Sequence, residues 1–308
     1  MSKPRTWGIL LVGGLATRLY PTTASLSKHL LPIYDKPAYY YPLSLLLEAG
    51  IRDVVLVTRP DLVTTFGESV DRYGSFGANI VVLSQMSPRG IADALLLAIN
   101  SGALPIREED RIVLALGDNL FHGAGCSQRL RQASSPEASP CVLFLSWVAE
   151  PNRYGVAVFH PGGLRLKEIV EKPAEILSNW AVSGLYSYSV PAALEAGALS
   201  LSSRGQLEIT DLHNRLLSRG DVSYRLLGPE VTWMDTGEPD SLLDAANYVH
   251  AIQRRTGSLV GSPQLAAYYG GLIDRPRLHE LATMAEGSYG ESLRRQVFRD
   301  ESITRNAR

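Results

Sequence analysis

The chain has 308 residues, with 30 Lys and Arg against 31 Asp and Glu and a formal net charge of −1. This balance lacks the basic field that nucleic acid or anionic lipid attracts, and no apolar stretch approaches the ~20 residues of a membrane span. Hydrophobic content of 45% is that of a globular protein able to bury a large core, and two cysteines, Cys126 and Cys141, are too few for a disulfide framework or a Cys-rich zinc site. The expectation is a reduced, cytoplasmic protein with no nucleic-acid or membrane partner. Lys3 and Arg5 precede an apolar run far shorter than a signal-peptide core.

Residues 8–12, Gly-Ile-Leu-Leu-Val, have the length and branching of a buried strand. The adjacent Gly13 and Gly14 predict a sharp turn whose N–H groups can cradle an anion. Thr17, Arg18 and Lys28 follow. A guanidinium forks onto phosphate oxygens and an ammonium supplies a point charge, so the stretch reads as a triphosphate site. It is neither G-x-x-x-x-G-K-[ST] nor G-x-G-x-x-G, which argues against a Walker-type ATPase and a dinucleotide-dependent dehydrogenase.

Further along, residues 38–49 predict a helix and 53–57 a strand, then come an irregular helix over 61–73 and a strand over 80–83. Residues 91–100 predict a helix and 111–116 the next buried strand. Repeated β-α-β units imply a mostly parallel, Rossmann-like α/β sheet flanked by helices, with ligands beyond the carboxyl ends of its strands. After Cys141 the pattern changes. Strands are expected at 141–147, 154–159, 164–170, 182–188, 222–227 and 231–234, the second and third joined as a hairpin by Pro161-Gly162-Gly163. Helices are expected at 207–217 and 241–255, with more helices from Ser258 packed on the second lobe and a frayed tail over 299–308.

Candidate chemistry lies at strand ends. Asp118 in Gly117-Asp118-Asn119 and Asp235 in Trp233-Met234-Asp235-Thr236-Gly237 can hold a hard divalent cation, which Mg²⁺ chemistry assigns to one or two carboxylates plus substrate phosphates. Each motif alone is as readily a turn. In Glu171-Lys172-Pro173 the proline disfavours helix at Lys172 and predicts an extended segment. Tyr39, Tyr40 and Tyr41 fit core packing better than base stacking. His213, His250 and His279 read as surface or partly buried, whereas His29 and His122 are candidates to line the site.

The run GGLATRLYP…SKHLLPIYDKP, with GDN, EKP and W-M-D-T-G in order, resembles the sugar-nucleotide pyrophosphorylases, and most closely the glucose-1-phosphate thymidylyltransferases. The resemblance covers about residues 8–257 and implies transfer of a thymidylyl group from dTTP to glucose 1-phosphate with Mg²⁺. It assigns nucleotide binding to Gly13, Gly14, Thr17, Arg18, Gln85, Pro88 and Gly90, with Gln85 reading thymine and Gly90 admitting the nucleoside. It assigns the sugar phosphate to Tyr154, Gly155, Glu171, Lys172, Val182, Gly184 and Arg204, the metal to Asp118 and Asp235, and catalysis to Arg18, Lys28, Lys172 and Asp118. It also implies a homotetramer, a nucleotidyltransferase domain over 1–257 with halves at about 1–140 and 141–257, an inserted sugar-binding lobe, and a helical extension over 258–308. Leu15, Ala16 and His29 depart from the family pattern. Residues 263–269, Pro-Gln-Leu-Ala-Ala-Tyr-Tyr, lack the Glu and Arg of its second, regulatory nucleotide site. Alternatives are a related transferase using another nucleotide or a cyclitol phosphate, and a non-catalytic nucleotide sensor.

Overall fold

The computed structural model describes residues 3–14 and 17–306, with side chains described to residue 300; Leu15 and Ala16 lie outside them. The first half contains β1 (Thr6–Leu11), the short pair β2 (Pro32–Ile33) and β3 (Lys36–Pro37), α1 (Tyr40–Glu48), β4 (Asp53–Thr58), α2 (Val63–Asp71), β5 (Asn79–Ser84), α3 (Ile91–Asn100), β6 (Arg111–Leu116), β7 (Asn119–Gly123) and α4 (Cys126–Ala133). The second half adds β8 (Cys141–Trp147), β9 (Gly155–Phe159), β10 (Leu166–Glu171), β11 (Trp180–Ser189), α5 (Val190–Leu194), α6 (Ile209–Ser218), β12 (Val222–Leu227), β13 (Val231–Asp235) and α7 (Pro239–Thr256). Three helices end the chain: α8 (Pro263–Tyr269), α9 (Arg275–Met284) and α10 (Gly287–Asn306).

The central sheet runs β5-β4-β1-β6-β11-β8-β12, parallel throughout except where β11 meets its two neighbours. This is the expected mostly parallel α/β sheet. Alternate residues of β1 serve opposite faces, as the two-residue period of a strand requires. Trp7 and Ile9 pack with Leu95 of α3 and Leu212 of α6, whereas Leu10 packs with Leu43 of α1, Phe66 of α2 and Leu130 of α4.

β11 divides the sheet. β8 pairs along one edge of it, while β6 takes the second half of the other edge and β9 meets the first half at Ala181. The register shifts between Val182 and Tyr186, around Gly184 at φ 69°. A Cβ on Gly184 would stand 2.9 Å from the Leu116 side chain. At this break the β9–β10 hairpin branches from β11 within the same nine-stranded sheet, and its Gly155 and Glu171 line the cavity together with Leu11 and Leu116.

Three expectations are corrected. β13, expected as a strand of the main pattern, pairs antiparallel with β7 in a separate two-stranded sheet, and β7 is a strand not expected after the Gly117-Asp118-Asn119 motif. The first terminal helix, α8, covers the nucleotide half, because α1 is buried nearly all round and Ala266 and Ala267 of α8 close its outer side. The segment after Arg299 continues as helix to Asn306, tied by Arg299 to the Thr256 carbonyl at 3.1 Å and by Asp300 accepting from Tyr269 at 2.6 Å.

Asp110 anchors the amino ends of β1 and β6. It accepts from Arg5 N at 2.9 Å, Trp7 Nε1 at 2.9 Å, Arg107 N at 2.9 Å and Arg107 Nη2 at 2.8 Å. Burial opposes its ionisation, but these donors outweigh burial and hold its carboxyl down to about 2. Asp110→Ala is expected to lower the unfolding free energy by roughly 2–3 kcal/mol, since several donors lose their acceptor together. Because the folded pKa is depressed, this stabilisation is fully present above the unfolded aspartate value near ~3.9 and is lost as pH falls through about 2. Urea midpoints of wild type and variant should therefore converge across that window; a constant gap would contradict the assignment.

Candidate active site

A cavity of about 450 Å³ opens at the carboxyl ends of β1, β4 and β6. It is lined by Gly13, Gly14, Arg18, Lys28, Gln85, Pro88, Gly90, Asp118, Tyr154, Gly155, Glu171, Lys172, Val182, Gly184, Arg204 and Asp235. These are all the site residues that the resemblance assigns except Thr17, which is exposed in the short turn Thr17–Leu19 and does not line the cavity.

The glycines serve different needs from those expected. Neither Gly13 nor Gly14 adopts a positive φ; they matter for space. A Cβ would stand 3.3 Å from the Thr58 backbone at Gly13 and 3.2 Å from Lys28 Cε at Gly14. Gly90, at φ 102°, answers to the protein itself, since a Cβ there would come within 2.5 Å of the Leu207 carbonyl. It still lines the cavity.

Asp118 and Asp235 meet because β7 and β13 pair with Asn119 opposite Asp235. Thr236 fastens the junction, its N–H and hydroxyl both donating to the Asp118 carbonyl at 3.0 and 2.8 Å. Lys28 donates to Asp118 Oδ2, and Asn119 Nδ2 donates to Oδ1 at 3.1 Å. Burial works against the Asp118 anion, yet the Lys28 charge prevails and holds the carboxyl down to about 2. Asp235 goes the other way. Burial and then the Asp118 charge push it up to about 6, against the pull of Lys28 and Arg18. A buried carboxylate that raises the proton affinity of a half-buried one beside it forms a site short of positive charge. Among the described residues no group of three or more His, Cys, Asp and Glu comes together, so an ion here would draw its remaining ligands from phosphate or water. That donor set suits Mg²⁺.

Across the cavity, Lys172 corrects the extended reading. Its N–H still donates to the Tyr154 carbonyl at 3.0 Å, continuing the β9–β10 ladder, but its φ is 45°. Pro173 bars right-handed helix at this position, and the chain turns through the left-handed region instead. Among the described residues no carboxylate pairs with the Lys172 ammonium. Glu171 accepts from Thr210 Oγ1 at 3.0 Å, and a Cβ at Gly155 would stand 3.1 Å from Glu171 Oε2. Arg204 reaches the cavity from the loop before α6 while pairing with Glu208 at 3.1 Å.

Sequence reasoning missed Glu238. It caps α7 and receives Arg18 at 2.6 Å and Arg153 at 2.5 Å, so one carboxylate spans the Gly-rich turn and the turn before β9. The only local signal was the capping pattern Glu238-Pro239-Asp240-Ser241. Two histidine expectations are also corrected. His122 turns from the cavity to Tyr248, with 2.7 Å between Nδ1 and the hydroxyl, and His213 is fully buried with Nε2 2.7 Å from the Tyr188 hydroxyl. His213 shares the inner face of α6 with Ile209 and Leu216, one helical turn away on either side. His29 does line the cavity, and burial with the adjacent Lys28 charge pushes it down to about 3, so it is neutral.

Residues 7–252 match the family model described as nucleotidyl transferase. The chain is 43% identical over 288 residues to a glucose-1-phosphate thymidylyltransferase of Xanthomonas campestris pv. campestris, covering 93% of this chain and 95% of that protein. It is 40% identical over 294 residues to the Mycolicibacterium smegmatis protein of that name, covering 95% and 99%. Among solved structures, a candidate glucose-1-phosphate thymidylyltransferase from Bacillus anthracis in complex with sucrose is similar at TM-score 0.69 and 32% identity, over 79% of this chain and 94% of that one. A UDP-glucose pyrophosphorylase complexed with UDP-glucose shares the fold at TM-score 0.68 and 19% identity, over 80% and 99%.

Proposed function

Because the chain belongs to the nucleotidyl transferase family, we propose that it transfers a thymidylyl group from dTTP to glucose 1-phosphate, yielding dTDP-glucose and pyrophosphate. The observation that carries this reading is the convergence on one cavity of Arg18 and Lys28 from the first strand end, Asp118 and Asp235 from the β7–β13 pair, and Lys172 from the hairpin.

In this reading Gly13, Gly14, Arg18 and Lys28 receive the triphosphate, and Glu171 accepts hydrogen bonds from sugar hydroxyls. Lys172, with Arg204 beside it, holds the phosphate of the sugar. A phosphate oxygen of the sugar 1-phosphate attacks the α-phosphorus in line. The new P–O bond forms as the bond to the bridging oxygen breaks, and the electron pair leaves with pyrophosphate. No proton transfer is required of the protein. Its contribution is to align two polyanions and neutralise the charge they bring together. Arg18 exchanges Glu238, and Lys28 in part Asp118, for phosphate oxygens, so the cations are pre-positioned by carboxylates that the substrate displaces. Asp118 and Asp235 would hold Mg²⁺, which when bound neutralises charge on the triphosphate and the leaving pyrophosphate.

The test is pyrophosphate release by the purified protein with Mg²⁺ and glucose 1-phosphate, with dTTP, UTP, GTP, CTP and ATP in parallel. Release with dTTP foremost is expected. Silence with all five would overturn the reading.

A further inference from the structure

Gln85 follows β5 and lines the cavity, but its amide is not free to choose which end it presents. Its Nε2 donates to Asp93 Oδ2 at 2.8 Å, with the Gly90 carbonyl also 3.5 Å away. An ionised carboxylate only accepts hydrogen bonds, so of the two ends of an amide it tolerates the NH₂ alone. Asp93 lies in the first turn of α3, where the helix dipole favours an anion, and Arg89 Nε lies 3.8 Å from its other oxygen. Among the described residues no donor reaches Gln85 Oε1. Asp93 itself does not line the cavity.

We propose that Asp93, acting through Gln85, sets the base choice of the nucleotide site. It pins the amide so that its carbonyl oxygen faces the base, with the second N–H, which makes only the long 3.5 Å contact to the Gly90 carbonyl, beside it for the base to take over. Thymine and uracil present an N3–H donor next to carbonyl oxygens and match this arrangement. Cytosine presents a lone pair at N3, which a fixed carbonyl oxygen repels. A glutamine free to flip could serve either base; this one cannot. Discrimination therefore resides in a carboxylate that never touches the nucleotide, and Asp93 is a positioning residue.

The inference rests on the proposed pyrimidine-nucleotide reading, and the experiment separates the two. Asp93→Asn can donate as well as accept and releases the amide; Asp93→Ala removes the anchor; Asp93→Glu keeps a carboxylate. kcat and KM are measured for dTTP, UTP and dCTP with glucose 1-phosphate and Mg²⁺, and equilibrium dialysis with dTTP and dCTP gives a binding readout independent of turnover. The ratio of kcat/KM for dTTP over dCTP is expected to fall by about tenfold or more in Asp93→Asn and Asp93→Ala. The change should appear in KM with kcat nearly unaltered, with UTP following dTTP, and Asp93→Glu should restore most of the ratio. A wild-type preference for dTTP with an unchanged ratio in both Asn and Ala variants would overturn the role of Asp93 alone. A wild type that favours a purine nucleotide, or none, would overturn both readings.

Discussion

Asp118→Ala should lower kcat by about a hundredfold or more, the loss typical of deleting one preorganised electrostatic group. The carboxylate has two partners in the cavity, the Lys28 ammonium and the Asn119 amide, and it raises the proton affinity of Asp235 beside it. Removing it leaves one carboxylate where two converge. The Mg²⁺ concentration for half-maximal rate should rise together with the fall in kcat. The fold should survive, because the loop is tied through the Asp118 backbone carbonyl, which accepts from both Thr236 groups whatever the side chain is. Thermal unfolding of the variant serves as the control. Turnover within a few-fold of wild type, with unaltered Mg²⁺ dependence, would remove Asp118 from the mechanism.

The second large effect is expected at Lys172. Lys172→Ala should reduce kcat/KM for glucose 1-phosphate by roughly a hundredfold, while dTTP binding stays near the wild-type level. The reason is geometric as well as electrostatic. The ammonium pairs with no carboxylate among the described residues, so nothing else spends its charge, and a backbone held at φ 45° aims it from the end of β10. A left-handed conformation at a non-glycine residue costs on the order of 1 kcal/mol and persists where the surrounding structure dictates it. Here the Lys172 N–H bonded to Tyr154 on one side and Pro173 on the other supply that constraint. Lys172→Gly offers the separating test. It should lose as much activity as the alanine variant while gaining stability, because glycine adopts positive φ freely. A glycine variant that is both active and more stable would make the strain a purely structural accident.

The legible parts of this protein were those in which local pattern and tertiary role coincide. β6, β8 and α3 lie where buried apolar runs and helical periodicity put them, because the central part of a strand buried on both faces must be apolar. Of the candidate residues, Gly13, Gly14, Lys28 and Asp118 lie in loops after parallel strands, where such a sheet collects its loops, whereas Glu171, Lys172 and Asp235 were named through the family resemblance and reach the same cavity from antiparallel pairs. Where a motif carried no periodicity the reading failed. β7 is a five-residue strand directly after Gly117-Asp118, and its partner β13 is 108 residues further on. Neither segment alone announces the pairing.

Composition and order of residues by themselves determined an α/β sheet, and they named a candidate phosphate turn and two candidate metal carboxylates at separate strand ends. Only the tertiary structure decided how these parts act on one another. It made Asp118 and Asp235 electrostatic neighbours, one held low by Lys28 and the other pushed up by burial. It placed Glu238 between Arg18 and Arg153, and Asp93 behind Gln85. It also turned Lys172 out of the extended conformation. The physical reason is that a residue type and its spacing encode backbone preference and hydrophobic periodicity, whereas proton affinity, ion pairing and amide orientation depend on which distant charges fall within a few ångströms once the chain is packed.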